Sequence, residues 1–514
     1  MADPGGTLTL SAFDAIVLAA YLAAVFVLGC SFVRRSAGTS QFMAAGGRLP
    51  AWAVGLSIFG TYLSSNTFLG VPGKAYGSNW NAFVFSLSLP IAAWLAVRYF
   101  VPFHRNSGGI SAYRHLKQRF GPWARTYAVV CYLLTQFARI GSILFGVSLA
   151  LSALTGWSQA SIIIVAGAII TIYTILGGIE AVIWTDVVQS LVLIAGALIV
   201  LALLLFGMPE GPAQTFRVAM EHGKLSLGSL RPDVTTSTIW VVLVYGLFIN
   251  LNNFGIDQSF VQRYHAARDD RQAARSVWLG ALLYVPISLL FFLIGTATFT
   301  YYDAHPEQLD DLKAAVAAQR DGEASAPIDH ADVGDKALPH FIVHHLPMGV
   351  RGLLIAAIVA AAMSSIDTSL NSSATVILTD LYARYVRPDA DERRSMRVLY
   401  LSTGAMGAAG TAIAVAMIGV QSVLDTWWKL SGVFAGGVLG LFLMGMVSRR
   451  AARPAAVTGV LIGLVVIAWM SLGELVDLPS RIRNPMHAHM TIVVGTLTIF
   501  LVGLLVTKLR RNAD

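Results

Sequence analysis

Apolar runs of about twenty residues, the length a helix needs to cross a bilayer, recur from one end of this chain to the other. They fall at 12–32, 50–71, 79–102, 123–154, 159–178, 184–207, 238–261, 273–299, 339–382, 396–417, 425–448, 453–471 and 488–508. Inside lipid every backbone polar group must bond within its own segment, which leaves helices as the available structure. The expected class is an all-α membrane protein with about 13 transmembrane helices. Composition agrees: 12% of the 514 residues are charged, about half the soluble average. That leaves room for a single membrane domain over 1–514 and little else. The run at 339–382 is too long for one helix. It is expected to open with a short interfacial helix, His340 to Leu346, before the span proper starts near Gly349.

The net charge of +8 could suggest nucleic acid, but no Lys/Arg run is interleaved with aromatics, so no nucleic-acid partner is expected and membrane lipid is. The basic residues instead cluster between spans. One set comprises Arg34, Arg35 and Arg48; Arg105, Arg114, Lys117 and Arg119; Arg263, Arg268, Arg271 and Arg275. It continues with Arg384, Arg387, Arg393, Arg394 and Arg397; Arg449, Arg450 and Arg453; and Lys508, Arg510 and Arg511. If thirteen spans alternate, all of these fall on one side, opposite the acidic 300–338 loop. The positive-inside rule then places the N-terminus outside and the C-terminus inside. Cys30 and Cys131 both lie in apolar stretches, which excludes a disulfide framework and suggests no Cys-based metal site. Met1–Leu10 lacks a basic region ahead of the first apolar run, so Ser11–Cys30 is read as a retained span rather than a signal peptide.

Two spans carry polar interruptions that lipid would not tolerate. The second contains Gly60-Thr61-Tyr62-Leu63-Ser64-Ser65-Asn66-Thr67, and the seventh contains Asn250-Leu251-Asn252-Asn253-Phe254-Gly255. Five spans separate them. If spans two to six and seven to eleven form two halves, an odd number per half inverts the second, and the breaks correspond. Paired broken helices in an inverted repeat point to a transporter with a midplane site. The repeats would cover 50–207 and 238–448, with an extra helix at 12–32 and extra C-terminal helices at 453–508. Gly432, Gly436 and Gly440 are read as a close-packing face only.

The ninth span holds Ala361-Ala362-Met363-Ser364-Ser365-Ile366-Asp367-Thr368-Ser369. Hydroxyls and freed carbonyls provide the hard oxygens that a small cation needs, and carbonyls are freed where a helix breaks. Charge inside a bilayer costs about 2.5–3.5 kcal/mol per group, so Asp186, Asp367 and Arg139 stand out. Arg139 needs an internal anionic partner or an anionic substrate. For Asp186 the alternatives are a helix cap or a functional role. For Asp367 they are ion binding or a pair with Arg139.

At these residues the chain resembles the sodium:solute symporter family. The matching stretches are Gly46-Gly47-Arg48-Leu49-Pro50-Ala51-Trp52, Leu63-Ser64-Ser65, Thr67-Phe68-Leu69-Gly70, Tyr173 through Asp186, Gln262-Arg263-Tyr264 and Ala361 through Asn371. Within the family the Arg at 139 makes it similar to the bacterial sialic acid branch. The resemblance implies a LeuT-type 5+5 inverted repeat in the bacterial cytoplasmic membrane, with Na+ as the coupling ion. It implies a main sodium site from the carbonyls of Gly60, Leu63 and Ala361 and the hydroxyls of Ser364 and Ser365. A second sodium would sit near Asp186, Ser364, Asp367 and Thr368. Arg139 would hold a substrate carboxylate; Tyr62, Ser64, Thr67, Ser86 and Asn250 would line the pocket and Phe254 would cover it. The branch usually has serines where this chain has Asp367 and Thr368, a Thr at Tyr62 and a Gln at Ser86. Asp367 could strengthen the second site, bind a proton or offset Arg139.

The expected function is sodium-coupled import of a small organic anion by alternating access, a sialic acid or related carboxylate. A neutral sugar, a monocarboxylate or another organic solute is the alternative. An enzyme is not expected, since the chain contains neither HExxH nor GxSxG. A sensor is not expected either, because little chain follows Lys508 to hold a signalling module.

Overall fold

The computed structural model describes residues 11–63, 65–317, 333–418, 437–475, 479 and 482–513. Ser64, Gly432, Gly436 and most of the expected 425–448 span lie outside them, as does the stretch of the acidic loop holding Asp321, Glu323 and Asp329. Among the described residues, ten helices are long and apolar enough to cross a membrane. Three expected spans are missing from the ten, each for its own reason. The second is a half-length helix, Ala51–Tyr62, ended by a break. The fifth and sixth run together as Gln159–Phe206, a 48-residue helix. The eleventh is described only over Gly437–Val447.

The Gln159–Phe206 helix is kinked at Gly178, whose φ of 58° and ψ of −159° lie in a region open essentially to glycine alone. The sixth span therefore begins just after Gly178, several residues before the expected 184. A Cβ at Gly178 would sit 3.0 Å from the backbone and ring of Phe42. Gly178→Ala is expected to lower the thermal midpoint of the purified protein, with about 1–3 kcal/mol of backbone strain added to that clash. An unchanged midpoint would show that the kink is not required.

The first break falls at Leu63, where the backbone turns extended (φ −93°, ψ 120°) before the next helix, Ser65–Gly77. The second falls later than the sequence suggests. Asn250 through Gly255 stay helical within Ile239–Ile256, and the chain breaks at Asp257 (φ −73°, ψ 120°). The Asp257 side chain accepts from the Ser259 N–H and so caps the following helix, Gln258–Ala266. An Asn run does not break a helix when its amides find partners, as Asn250 does by donating to Ser88 Oγ at 3.0 Å.

The ninth run divides near Gly349 as expected, but its short helix begins six residues before the expected His340. A short helix, Gly334–His345, precedes Gly349, and the span proper is Val350–Val376, continued to Val386. It is the most enclosed of the ten, 94% buried over its most apolar window, so it forms the axis of the molecule rather than a lipid-facing wall. Its N-terminus is capped by the first helix. Asp14 of the first helix, Ala12–Ser31, accepts from the Gly349 and Gly352 N–H groups at 2.7 and 2.8 Å. Gly440 approaches the Met490–Ala513 helix closely, since a Cβ there would lie 2.4 Å from the Thr496 carbonyl, in line with a packing role.

Candidate functional site

The first break lies against the buried axial helix. Ser365 donates to the Leu63 carbonyl at 3.2 Å. A Cβ on Gly60 would come within 2.9 Å of Ser364 Oγ, so only glycine allows this approach. Ala361 and Ser365 are one turn apart on one helix face. The structure thus brings Gly60, Leu63, Ala361, Ser364 and Ser365 together. Ser364 gives its proton to Asp186 and Ser365 gives its proton to Leu63. The lone pairs of both hydroxyls remain able to accept.

Asp186 is not a helix cap. It lies beyond the Gly178 kink, fully buried, and is bonded to a residue that the sequence reading assigned to a basic loop: Arg263. The Arg263 side chain is 1% exposed and its Nη2 donates to Asp186 Oδ2 at 2.9 Å. Its Nε donates to Ser57 Oγ at 2.8 Å, its Nη1 to the Ser259 carbonyl at 2.8 Å and its Nη2 also to Thr368 Oγ1 at 2.7 Å. Ser57 in turn donates to Asp186. One guanidinium therefore ties together the first broken helix, the kinked helix, the second broken helix and the axial helix. Arg263 belongs inside because the chain breaks at Asp257 and starts afresh. Asp257, a residue type favoured at helix N-caps, marks the fresh start, but nothing in the local pattern shows that Arg263 turns inward.

Asp367 is also buried and does not pair with Arg139. Its Oδ2 accepts from the Tyr173 hydroxyl at 2.6 Å and from Thr185 at 3.5 Å, while Oδ1 has no partner among the described residues. Tyr173 is a site neighbour that sequence reasoning did not single out for this role. Arg139 donates to the Thr61 carbonyl at 2.8 Å, one of the orphan carbonyls at the end of the Ala51–Tyr62 helix. Among the described residues no carboxylate lies within ion-pairing distance of it.

Next to Thr61, the Tyr62 ring contacts Phe254, Phe260 and Tyr284, with centroids 5.9, 5.0 and 5.3 Å away. Phe254 is fully buried. Ser86 and Ser288 share a hydrogen bond of 2.7 Å. Asn250 holds Ser88, and its own Oδ1 has no partner among the described residues. Thr67 lies in the Ser65–Gly77 helix, half-buried.

The sodium:solute symporter family signature matches residues 42–463 of this sequence. The chain belongs to the sodium:solute symporter family. The symporter is 33% identical over 486 residues to the sodium/sialic acid symporter SiaT of Proteus mirabilis, covering 94% of each chain. It is 31% identical over 504 residues to the sodium/sialic acid symporter NanT of Aliivibrio fischeri, covering 97% of this chain and 93% of that one. A solved structure of a Na+-coupled sialic acid symporter, substrate-bound and outward-open, superposes with a TM-score of 0.86 at 30% identity over 97% of this chain and 98% of that one. The symporter is thus a multi-pass, LeuT-like membrane transporter that uses sodium to move an organic solute, and not an enzyme.

Proposed function

We propose that this symporter imports sialic acid or a related carboxylate across the bacterial inner membrane by alternating access. The observation that carries this reading is Arg139: a guanidinium deep in the bundle, bonded to the Thr61 carbonyl and to no carboxylate. Such a group favours a bidentate carboxylate ligand. Tyr62, Ser64, Thr67, Ser86 and Asn250 line the solute pocket, and Phe254 closes it.

The architecture consists of about thirteen spans in lipid, N-terminus outside and C-terminus inside, as the basic loops require. Residues 50–207 and 238–448 form the inverted repeats; 12–32 and 453–508 are additions. One sodium binds at Gly60, Leu63, Ala361, Ser364 and Ser365, fixing the first break against the axial helix and shaping the pocket. A second binds at Asp186, Asp367 and Thr368, where it must exchange with the contacts of Arg263. Two sodium ions with one monoanion carry net positive charge inward. Each such charge gains about 2.3 kcal/mol per 100 mV of membrane potential, so uptake should be electrogenic.

The test is a thermal-shift screen of sialic acids, short monocarboxylates, neutral sugars and amino acids, each with and without sodium, followed by uptake into proteoliposomes. Carboxylate stabilisation that depends on sodium supports the reading; stabilisation by neutral sugars alone removes Arg139 from its role. Ser365→Ala takes away one of five oxygens and should raise the half-saturating sodium concentration for uptake about tenfold, equivalent to about 1.4 kcal/mol. If sodium dependence is unchanged in that variant, the main site lies elsewhere.

A further inference from the structure

The Pro122–Thr155 helix presents one face to both helix breaks. Tyr132 on this face hydrogen-bonds Ser259, just after the second break, at 3.1 Å, and Ser372 of the axial helix at 2.7 Å. Arg139 on the same face reaches Thr61 at the first break. Between them stands Gln136. At 3.6 residues per turn, Tyr132, Gln136 and Arg139 fall within an arc of about 60°, so Gln136 points into the same crossing. Its side chain is fully buried, and neither its amide oxygen nor its amide nitrogen has a partner among the described residues. Native proteins rarely bury a polar group without a partner, and a primary amide can both donate and accept. Tyr132, one turn before it, has both its contacts in protein atoms, and Arg139, one turn after it, bonds the Thr61 carbonyl, so between them Gln136 is the side chain on this face with no protein partner at all among the described residues.

We infer that Gln136 is a specificity-determining residue that hydrogen-bonds a hydroxyl or amide group of the transported solute, close to the carboxylate held by Arg139. This rests on the carboxylate-import reading above and narrows it. Gln136 and Arg139 are separated by about 4.5 Å along the helix axis. The solute class that fits is a hydroxylated sugar acid, with a polar group near its carboxylate, rather than a plain short monocarboxylate. Binding such a solute satisfies both ends of the amide. A monocarboxylate leaves them bare and is disfavoured, as in sites built to bond a hydroxyl that the competing ligand lacks.

The test uses the full-length protein with Gln136→Met, which keeps the length of the side chain and removes its polar atoms, and Gln136→Asn, which withdraws the amide. Sodium-driven uptake of N-acetylneuraminic acid is measured in proteoliposomes, with propionate as competitor, alongside thermal unfolding in sodium without solute. In Gln136→Met the half-saturating concentration of N-acetylneuraminic acid should rise about tenfold or more. Its discrimination against propionate should fall by the same factor, while half-saturation by sodium stays within about twofold. The thermal midpoint without solute should be unchanged or higher, since an apolar side chain replaces a bare amide. A structural amide would give the opposite: a lower midpoint and unaltered discrimination. Either result overturns the assignment. Should Gln136→Met not fold, Gln136→Asn decides, because unaltered discrimination there overturns it equally. A wild-type protein that accumulates no carboxylate under a sodium gradient fails the import reading itself. A wild type that does, with variants that discriminate as it does, fails only Gln136.

Discussion

Arg139→Gln should abolish sodium-driven uptake of a carboxylate while the sodium-dependent thermal shift persists. The guanidinium supplies a charge and a two-pronged donor, and truncating one side of a buried charge-assisted pair costs about 2–5 kcal/mol. That corresponds to about thirty-fold to a few thousand-fold in affinity. The protein itself should suffer less than it does from the loss of solute binding, because no carboxylate among the described residues is close enough to Arg139 to form an ion pair. It loses the bond to the Thr61 carbonyl and the longer-range attraction of Asp257. Arg139→Lys separates charge from geometry. A lysine keeps the charge but not the fork, so uptake should be partly retained at raised half-saturation. Full uptake by the Gln variant would mean that the carboxylate, or the solute altogether, binds elsewhere.

The opposite pattern, loss of the fold rather than of binding, is expected at the Asp186–Arg263 pair. The two are 77 positions apart in sequence, and both are fully enclosed. Arg263→Gln or Asp186→Asn alone strands a buried charge and should destabilise the protein by about 3–5 kcal/mol, read as a marked drop in thermal midpoint. Arg263→Gln combined with Asp186→Asn removes both charges and should recover much of that loss, giving a large interaction energy in a double-mutant cycle. Additive losses would show that the two side chains do not depend on each other. The pair also bears on coupling, because the double variant removes the Asp186 carboxylate proposed to hold a second sodium. Its uptake should saturate with sodium less steeply than that of the wild type.

Much of this was legible in the sequence, because lipid imposes length and polarity rules on every span. The first break, the buried position of Asp367 and a short helix before Gly349 follow from local pattern, while the approach of Ser364 and Ser365 to Gly60 and Leu63 rests on the family resemblance. Arg263 follows from neither. A charged residue a few positions after an apolar run looks like a loop residue unless its partner is known, and Asp186 reaches it only through space. The second break was misplaced for a related reason. Asn250 to Gly255 look helix-breaking, yet helix geometry survives where such side chains bond to neighbours, and the true signal was the cap at Asp257. Tyr173 was visible as part of a motif, but nothing in its spacing says that its hydroxyl meets Asp367 rather than a backbone carbonyl.

Asp14 gives the first helix a standing that its place at the start of the chain conceals. Its carboxylate sits at the positive pole of the helix that carries Ser364, Ser365 and Asp367. The first helix is therefore bolted to the axial helix and must travel with it, or hold it still, through every turnover. Tags added ahead of Ser11 leave that bolt in place. Shortened versions of the chain that begin after Asp14 would loosen the axial helix at its end, and a coupling defect in such a protein would be a matter of anchorage rather than chemistry.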